Sequence, residues 1–102
     1  MSDFHNESTK RLFEAIVSIN NVDECRALFE DLCTIKEIQD MAQRLDTAIM
    51  LDEGKSYQKI AESVGISTAT ISRVNRCLTY GSGGYRNVIE IIKESENKNG
   101  NK

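Results

Sequence analysis

Arg73 and Arg76 stand three positions apart in the stretch STATISRVNRCL, residues 67–78, behind the small and hydroxyl side chains of Ser67, Thr68, Ala69 and Ser72. Guanidinium groups engage phosphate or the acceptor edge of guanine through paired N–H donors, and small hydroxyl or methyl-bearing side chains approach base edges and thymine methyls closely. The chemistry on offer is recognition of a polyanion rather than the making or breaking of bonds. Cys25, Cys33 and Cys77 are odd in number and show neither CxxC spacing nor companion histidines, so they read as reduced, small hydrophobes of a core or an interface. His5, the one histidine, lies in a polar leader. A zinc site needs about four closely arranged ligands, which this pattern does not supply. Nucleophile, base and acid do not form a constellation, and there is no phosphate-loop signature. The sequence therefore predicts no metal, no cofactor and no enzymatic activity.

The formal net charge is −3, but its distribution is uneven. Residues 1–54 carry 12 acidic and 5 basic side chains, whereas residues 55–93 carry 6 basic ones (Lys55, Lys59, Arg73, Arg76, Arg86, Lys93) against Glu62 and Glu90. An acidic half joined to a basic half directs attention to a polyanionic partner for the basic half.

The elements that must position these residues are helical. Apolar side chains recur at helical rather than alternating spacing throughout, which predicts an all-α fold of about six helices. Leu12, Phe13, Ile16 and Ile19 make a first stripe that Asn20-Asn21 ends; Asp23 then stands as the cap of a short helix carrying Leu28, Phe29 and Leu32. Thr34 followed by Glu37 has capping-box spacing and predicts a long helix through Ile38, Met41, Ala42, Leu45, Ala48, Ile49 and Met50 up to Gly54. Three short helices follow, opened by Ser56, opened by Ser67, and resumed after the GSGG break at 81–84. The expected layout is a polar leader at 1–6, one domain at 7–96 and a disordered tail at 97–102. A 102-residue chain with 39% apolar residues suits one small domain, and oligomerisation would help stabilise it. The stripes offer more apolar helix surface than one such domain covers. No run is long and apolar enough for a membrane span, and MSDFHNESTK lacks the basic and apolar regions of a signal peptide, so the protein is expected in the cytoplasm.

Residues 56–80 carry the sharpest pattern. Ile60 and Val64 face inward from one helix, Ala61 permits close approach, Gly65 supplies the turn, and Ile66, Ile71 and Val74 close a miniature core. This is the helix-turn-helix arrangement, whose second helix lies in the major groove of DNA. With Ile71, Val74 and Leu78 inward, Thr68, Ala69, Ser72, Arg73 and Arg76 fall outward or on the flanks, a face with no acidic residue. Ser56, Tyr57, Gln58 and Lys59 open the first helix, which crosses the sugar-phosphate backbone and positions rather than reads. Lys55 adds longer-range attraction. The expected function is a sequence-specific DNA-binding transcriptional regulator. The alternative is a helix-turn-helix adaptor that binds a protein in a transcription or replication complex.

The stretches LFEDLCTIKEIQDMAQRLDTAIMLDEG and SYQKIAESVGISTATISRVNRCLTYGSGGY resemble the Trp-repressor-like superfamily, in particular its small YerC/YecD-type branch, over about residues 25–93. The resemblance implies an intertwined all-α homodimer whose N-terminal helices share a core, and a palindromic operator with half-sites about 34 Å apart. It also implies base contacts from Thr68, Ala69 and Ser72, and it makes GSGGY a hinge that seats the last helix. In tryptophan-responsive members two arginines sandwich the indole, and Arg44 and Arg73 match them, with Thr34 at the pocket border. Val74 and Cys77 depart from the pattern, standing where those members have glycine and serine, and the chain is one residue shorter around Gly54-Lys55. A branched side chain placed where a ligand needs room costs about 1–3 kcal/mol. A thiol also weakens a polar contact made by serine. The resemblance with these departures predicts a regulator that does not respond to tryptophan, with Arg44 a surface residue and Arg73 a phosphate contact.

Overall fold

The computed structural model describes the backbone of residues 6–100 and the side chains of residues 6–97. Six helices and no strand are found among them: α1 (Glu7–Ser18), α2 (Val22–Leu32), α3 (Ile35–Asp52), α4 (Tyr57–Val64), α5 (Thr68–Tyr80) and α6 (Gly84–Gly100). The all-α expectation is met. The chain falls into two compact units, one ending at Ile38 and the other starting at Gln39.

In the first unit, helix starts are fixed by local side-chain bonds. The Thr9 amide donates to Asn6 Oδ1 at 2.9 Å and the Asn6 amide donates to Thr9 Oγ1 at 3.0 Å, a reciprocal box that opens α1. The cap of α2 is Asn21, whose Oδ1 accepts the Glu24 amide at 2.8 Å. Asp23, expected as that cap, instead occupies the first turn, where its carboxylate faces the positive end of the helix dipole. The Thr34–Glu37 box forms as its spacing predicts: the Glu37 amide donates to Thr34 Oγ1 at 3.1 Å and the Thr34 amide to Glu37 Oε1 at 2.8 Å. Neither α1 nor α2 contains a buried residue, and Val17 (81%) and Val22 (77%) lie almost fully exposed.

The second unit holds the core. Ala48 of α3, Val74 and Leu78 of α5 and Ile89 of α6 form a buried cluster flanked by Ile49, Leu51 and Tyr85. Helix α5 packs against both α4 and α6. Ile60 and Ile71 are fully buried, and each such side chain contributes roughly 1.5–3 kcal/mol through removal from water. Val64, Ile66 and Ala61 are half-buried, and Ala42 of the long helix is exposed. Thr47 is buried but needs no partner from another helix, because its hydroxyl donates to the Gln43 carbonyl at 2.8 Å.

At the end of α3, Asp52 receives Lys93 Nζ at 2.7 Å and Arg86 at 3.7 Å, so two cations of α6 bracket one carboxylate. Hydrogen bonding and attraction to Asp52 raise the Lys93 ammonium above the ordinary lysine range. Helix α6 continues to Gly100, through residues 97–100 that the composition assigned to a disordered tail. A helix already seated by Ile89 gains one backbone bond per added residue, which lets its backbone continue through a polar stretch. Residues 101–102 and most of the leader lie outside the described residues.

Candidate nucleic-acid interface

Two short helices and one glycine build the candidate site. Ser56 Oγ accepts the Lys59 amide at 3.1 Å and so opens α4. The helix closes at Gly65, whose φ of 82° lies in the left-handed region that side chains disfavour, and whose amide donates to the Ala61 carbonyl at 2.9 Å. After Ile66 the chain re-enters a helix at once: Ser67 Oγ accepts the Thr70 amide at 3.2 Å and lies 3.1 Å from Thr70 Oγ1. Burial of Ile71, Val74 and Leu78, with α5 packed on α4 and α6, fixes which side of α5 faces away.

All nine residues singled out for DNA contact are exposed: Ser56, Tyr57, Gln58 and Lys59 at the start of α4, and Thr68, Ala69, Ser72, Arg73 and Arg76 on α5. Neither helix has an acidic residue in its first turn, whereas α1, α2 and α3 each have at least one. Free amides at a helix start attract anions, and a carboxylate there would repel a phosphate.

The structure also divides the six cations of the basic half. Arg86 and Lys93 are taken up by Asp52. Lys55, Lys59, Arg73 and Arg76 make no ion pair among the described residues. Sequence reasoning missed this division because it depends on a pairing between residues far apart in the chain.

Arg44 and Arg73 do come together, on the wall of an open cleft of about 230 Å³ that Asp40, Gln43, Ile66 and Thr70 complete. Dedicated small-molecule pockets run from about 300 to 1,000 Å³. Val74 does not line this cleft: it was expected to close the core between α4 and α5, but it is buried with Ala48, Leu78 and Ile89 of the α3, α5 and α6 cluster, and Cys77 is exposed outside the cleft. Thr34 belongs to the other unit. A larger concavity of about 710 Å³ lies along α1, but its walls come from that one helix and it holds no recognisable chemistry. Cys25 and Cys33 are half-buried and Cys77 is exposed, so of the core or interface expected for the thiols Cys77 does not take the core of this chain. Its place on α5, four residues after Arg73, carries it off the packed face. Among the described residues no group of three or more His, Cys, Asp or Glu side chains could hold a metal ion, and no helix is long and apolar enough to cross a membrane. His5 lies outside the described residues.

The family model of the Trp repressor protein matches residues 7–93. The chain belongs to the Trp repressor family. Family relatives share most of its length. The uncharacterized protein YerC of Bacillus subtilis (strain 168) is 50% identical over 92 residues, which cover 90% of this chain and 88% of YerC. A crystal structure of a TrpR-like protein from Eubacterium eligens ATCC 27750 superposes with a TM-score of 0.85 at 48% identity, covering 87% of this chain and 92% of that one. A Staphylococcus aureus structure provisionally assigned as a Trp repressor gives 0.84 at 40% identity, over 87% and 89% of the two chains. The similarity inferred from the two quoted stretches is thus shown at the level of the family.

Proposed function

We propose that this protein is a sequence-specific DNA-binding transcriptional regulator, a repressor, that acts as a homodimer in the cytoplasm and has no enzymatic activity. The observation that carries the reading is the outward face of α5: it is acid-free, begins at a serine-capped helix start, and carries Arg73 and Arg76 without ion-pair partners among the described residues. Thr68, Ala69 and Ser72 then read base edges, Arg73 and Arg76 hold phosphate, and Ser56, Tyr57, Gln58 and Lys59 set the register on the backbone. The exposed apolar side chains of α1 and α2 support dimerisation, which gives a palindromic operator with half-sites about 34 Å apart. Tryptophan is not the effector: the cleft that Arg44 and Arg73 share holds only about 230 Å³, and Val74 and Cys77 stand where responsive members have glycine and serine.

The test is a duplex-binding titration at two salt concentrations, after selection of bound fragments from random DNA. Arg73→Ala and Arg76→Ala are each expected to weaken binding and to flatten the fall of log affinity with log salt by roughly 0.9 per lost phosphate contact. Unchanged affinity in both variants refutes DNA reading and favours the protein-adaptor alternative. Saturable calorimetric binding of tryptophan at micromolar levels refutes the assignment of Val74.

A further inference from the structure

The outward stripe of α5 does not stop at Arg76. Tyr80, the last residue of the helix, lies one helical turn beyond Arg76 and is 84% exposed, the most exposed of the large hydrophobic side chains described in the second unit. At 100° per residue it projects within about 40° of Arg76 and Ala69 and opposite the packed residues Ile71, Val74 and Leu78. Nothing in its own unit needs that ring, and an aromatic left in water is an expensive way to end a helix. Its position is also held. Gly81 caps α5 by donating its amide to the Cys77 carbonyl at 2.8 Å, and a side chain at Gly81 would run into that same carbonyl. The tight stop fixes the turn that carries Tyr80.

We infer that the Tyr80 hydroxyl donates a hydrogen bond to a phosphate flanking the half-site and so sets how deeply α5 sits in the groove. This rests on the DNA-reading function proposed above. Twelve residues separate Thr68 from Tyr80, about 18 Å of helix rise, whereas the major groove is about 12 Å wide. With the first turns of α5 at the base edges, the far end of the helix has left the groove floor and lies level with the sugar-phosphate backbone. A phenol there contributes a directed donor without a charge. Backbone contacts from tyrosine hydroxyls position a protein on the duplex without reading sequence.

Tyr80→Phe removes the hydroxyl and keeps the ring, so it separates this role from packing. On the selected duplex, Tyr80→Phe is expected to weaken binding about tenfold, the scale of a lost hydrogen bond to a charged acceptor. The salt slope should stay that of the wild type, because no counterion release is lost. Arg76→Ala should change both. Replacing flanking phosphates one at a time by neutral methylphosphonate should abolish the difference between Tyr80→Phe and wild type at one position per half-site. Wild-type affinity in Tyr80→Phe, with binding lost in Arg76→Ala, overturns the Tyr80 contact and leaves DNA reading intact. Failure of the wild type to bind any duplex removes both. A shift of the dimer equilibrium in Tyr80→Phe, seen by light scattering, also overturns the inference, because the hydroxyl would then serve an interface between copies.

Discussion

The helices before Ile38 and those after Gln39 have amphipathic patterns of similar strength, yet their apolar residues meet different ends. Downstream, Ala48, Ile60, Ile71, Val74, Leu78 and Ile89 are buried within one chain. Upstream, Leu12, Phe13, Val17, Val22, Leu32 and Ile35 remain exposed. The start of each helix differs in the same direction: α1, α2 and α3 carry acids in the first turn, α4 and α5 carry none. The upstream helices stabilise their own dipoles with carboxylates and leave apolar surface for association. The downstream helices α4, α5 and α6 have no carboxylate in the first turn, which under the proposed function leaves the starts of α4 and α5 open to phosphate. The proposed association and the proposed recognition thus fall on separate stretches of a chain of 102 residues.

The strongest test of this division truncates the downstream core. Ile71→Ala is expected to destabilise the fold by about 2–5 kcal/mol in denaturant unfolding. Any drop in DNA affinity should follow the fraction unfolded. The matching upstream change is Val17→Asp, which introduces a charge at an already exposed position. It should weaken self-association by about 2–3 kcal/mol, because a dimer would have to bury an unpaired carboxylate. Sedimentation equilibrium reads this directly; self-association equal to wild type would end the assignment of α1 to the dimer surface. The smallest effect belongs to the Asp52 bracket. Lys93 is held above its ordinary pKa, so its contribution is fully present below the unfolded lysine value and disappears as pH rises through the higher folded value. Lys93→Met should therefore lower Tm slightly at neutral pH, less so at high salt, and the gap should close in strongly alkaline buffer.

How much of this was legible depended on the range of each interaction. The Thr34–Glu37 box and the serine caps of α4 and α5 close within three residues, so spacing alone announces them. The two helices of the helix-turn-helix were legible for a related reason, since Ser56, Gly65 and Ser67 mark their starts and the turn between them, whereas Val74, expected against Ile60, joins Ala48, Leu78 and Ile89. Asp23 was misplaced because Asn21 and Asp23 are both competent caps, and choosing between them needs the path of the preceding chain. The split of the basic residues was invisible, since Asp52 meets Arg86 and Lys93 from more than thirty residues away. Whether Cys77 would take the core or an interface was open in the sequence, and its exposure removes the core.

The hydroxyl of Thr47 bonds to its own helix, and every capping side chain described above closes within four residues of itself. The buried cluster that joins α3, α5 and α6 is apolar, made of Ala48, Val74, Leu78 and Ile89, and such contacts favour a seat without dictating one angle. Packed helices joined in this way slide by small shear displacements, whereas helices keyed by directional bonds do not. On the proposed function, a duplex would therefore meet a helix seated by apolar contacts alone, whose tilt it could finish.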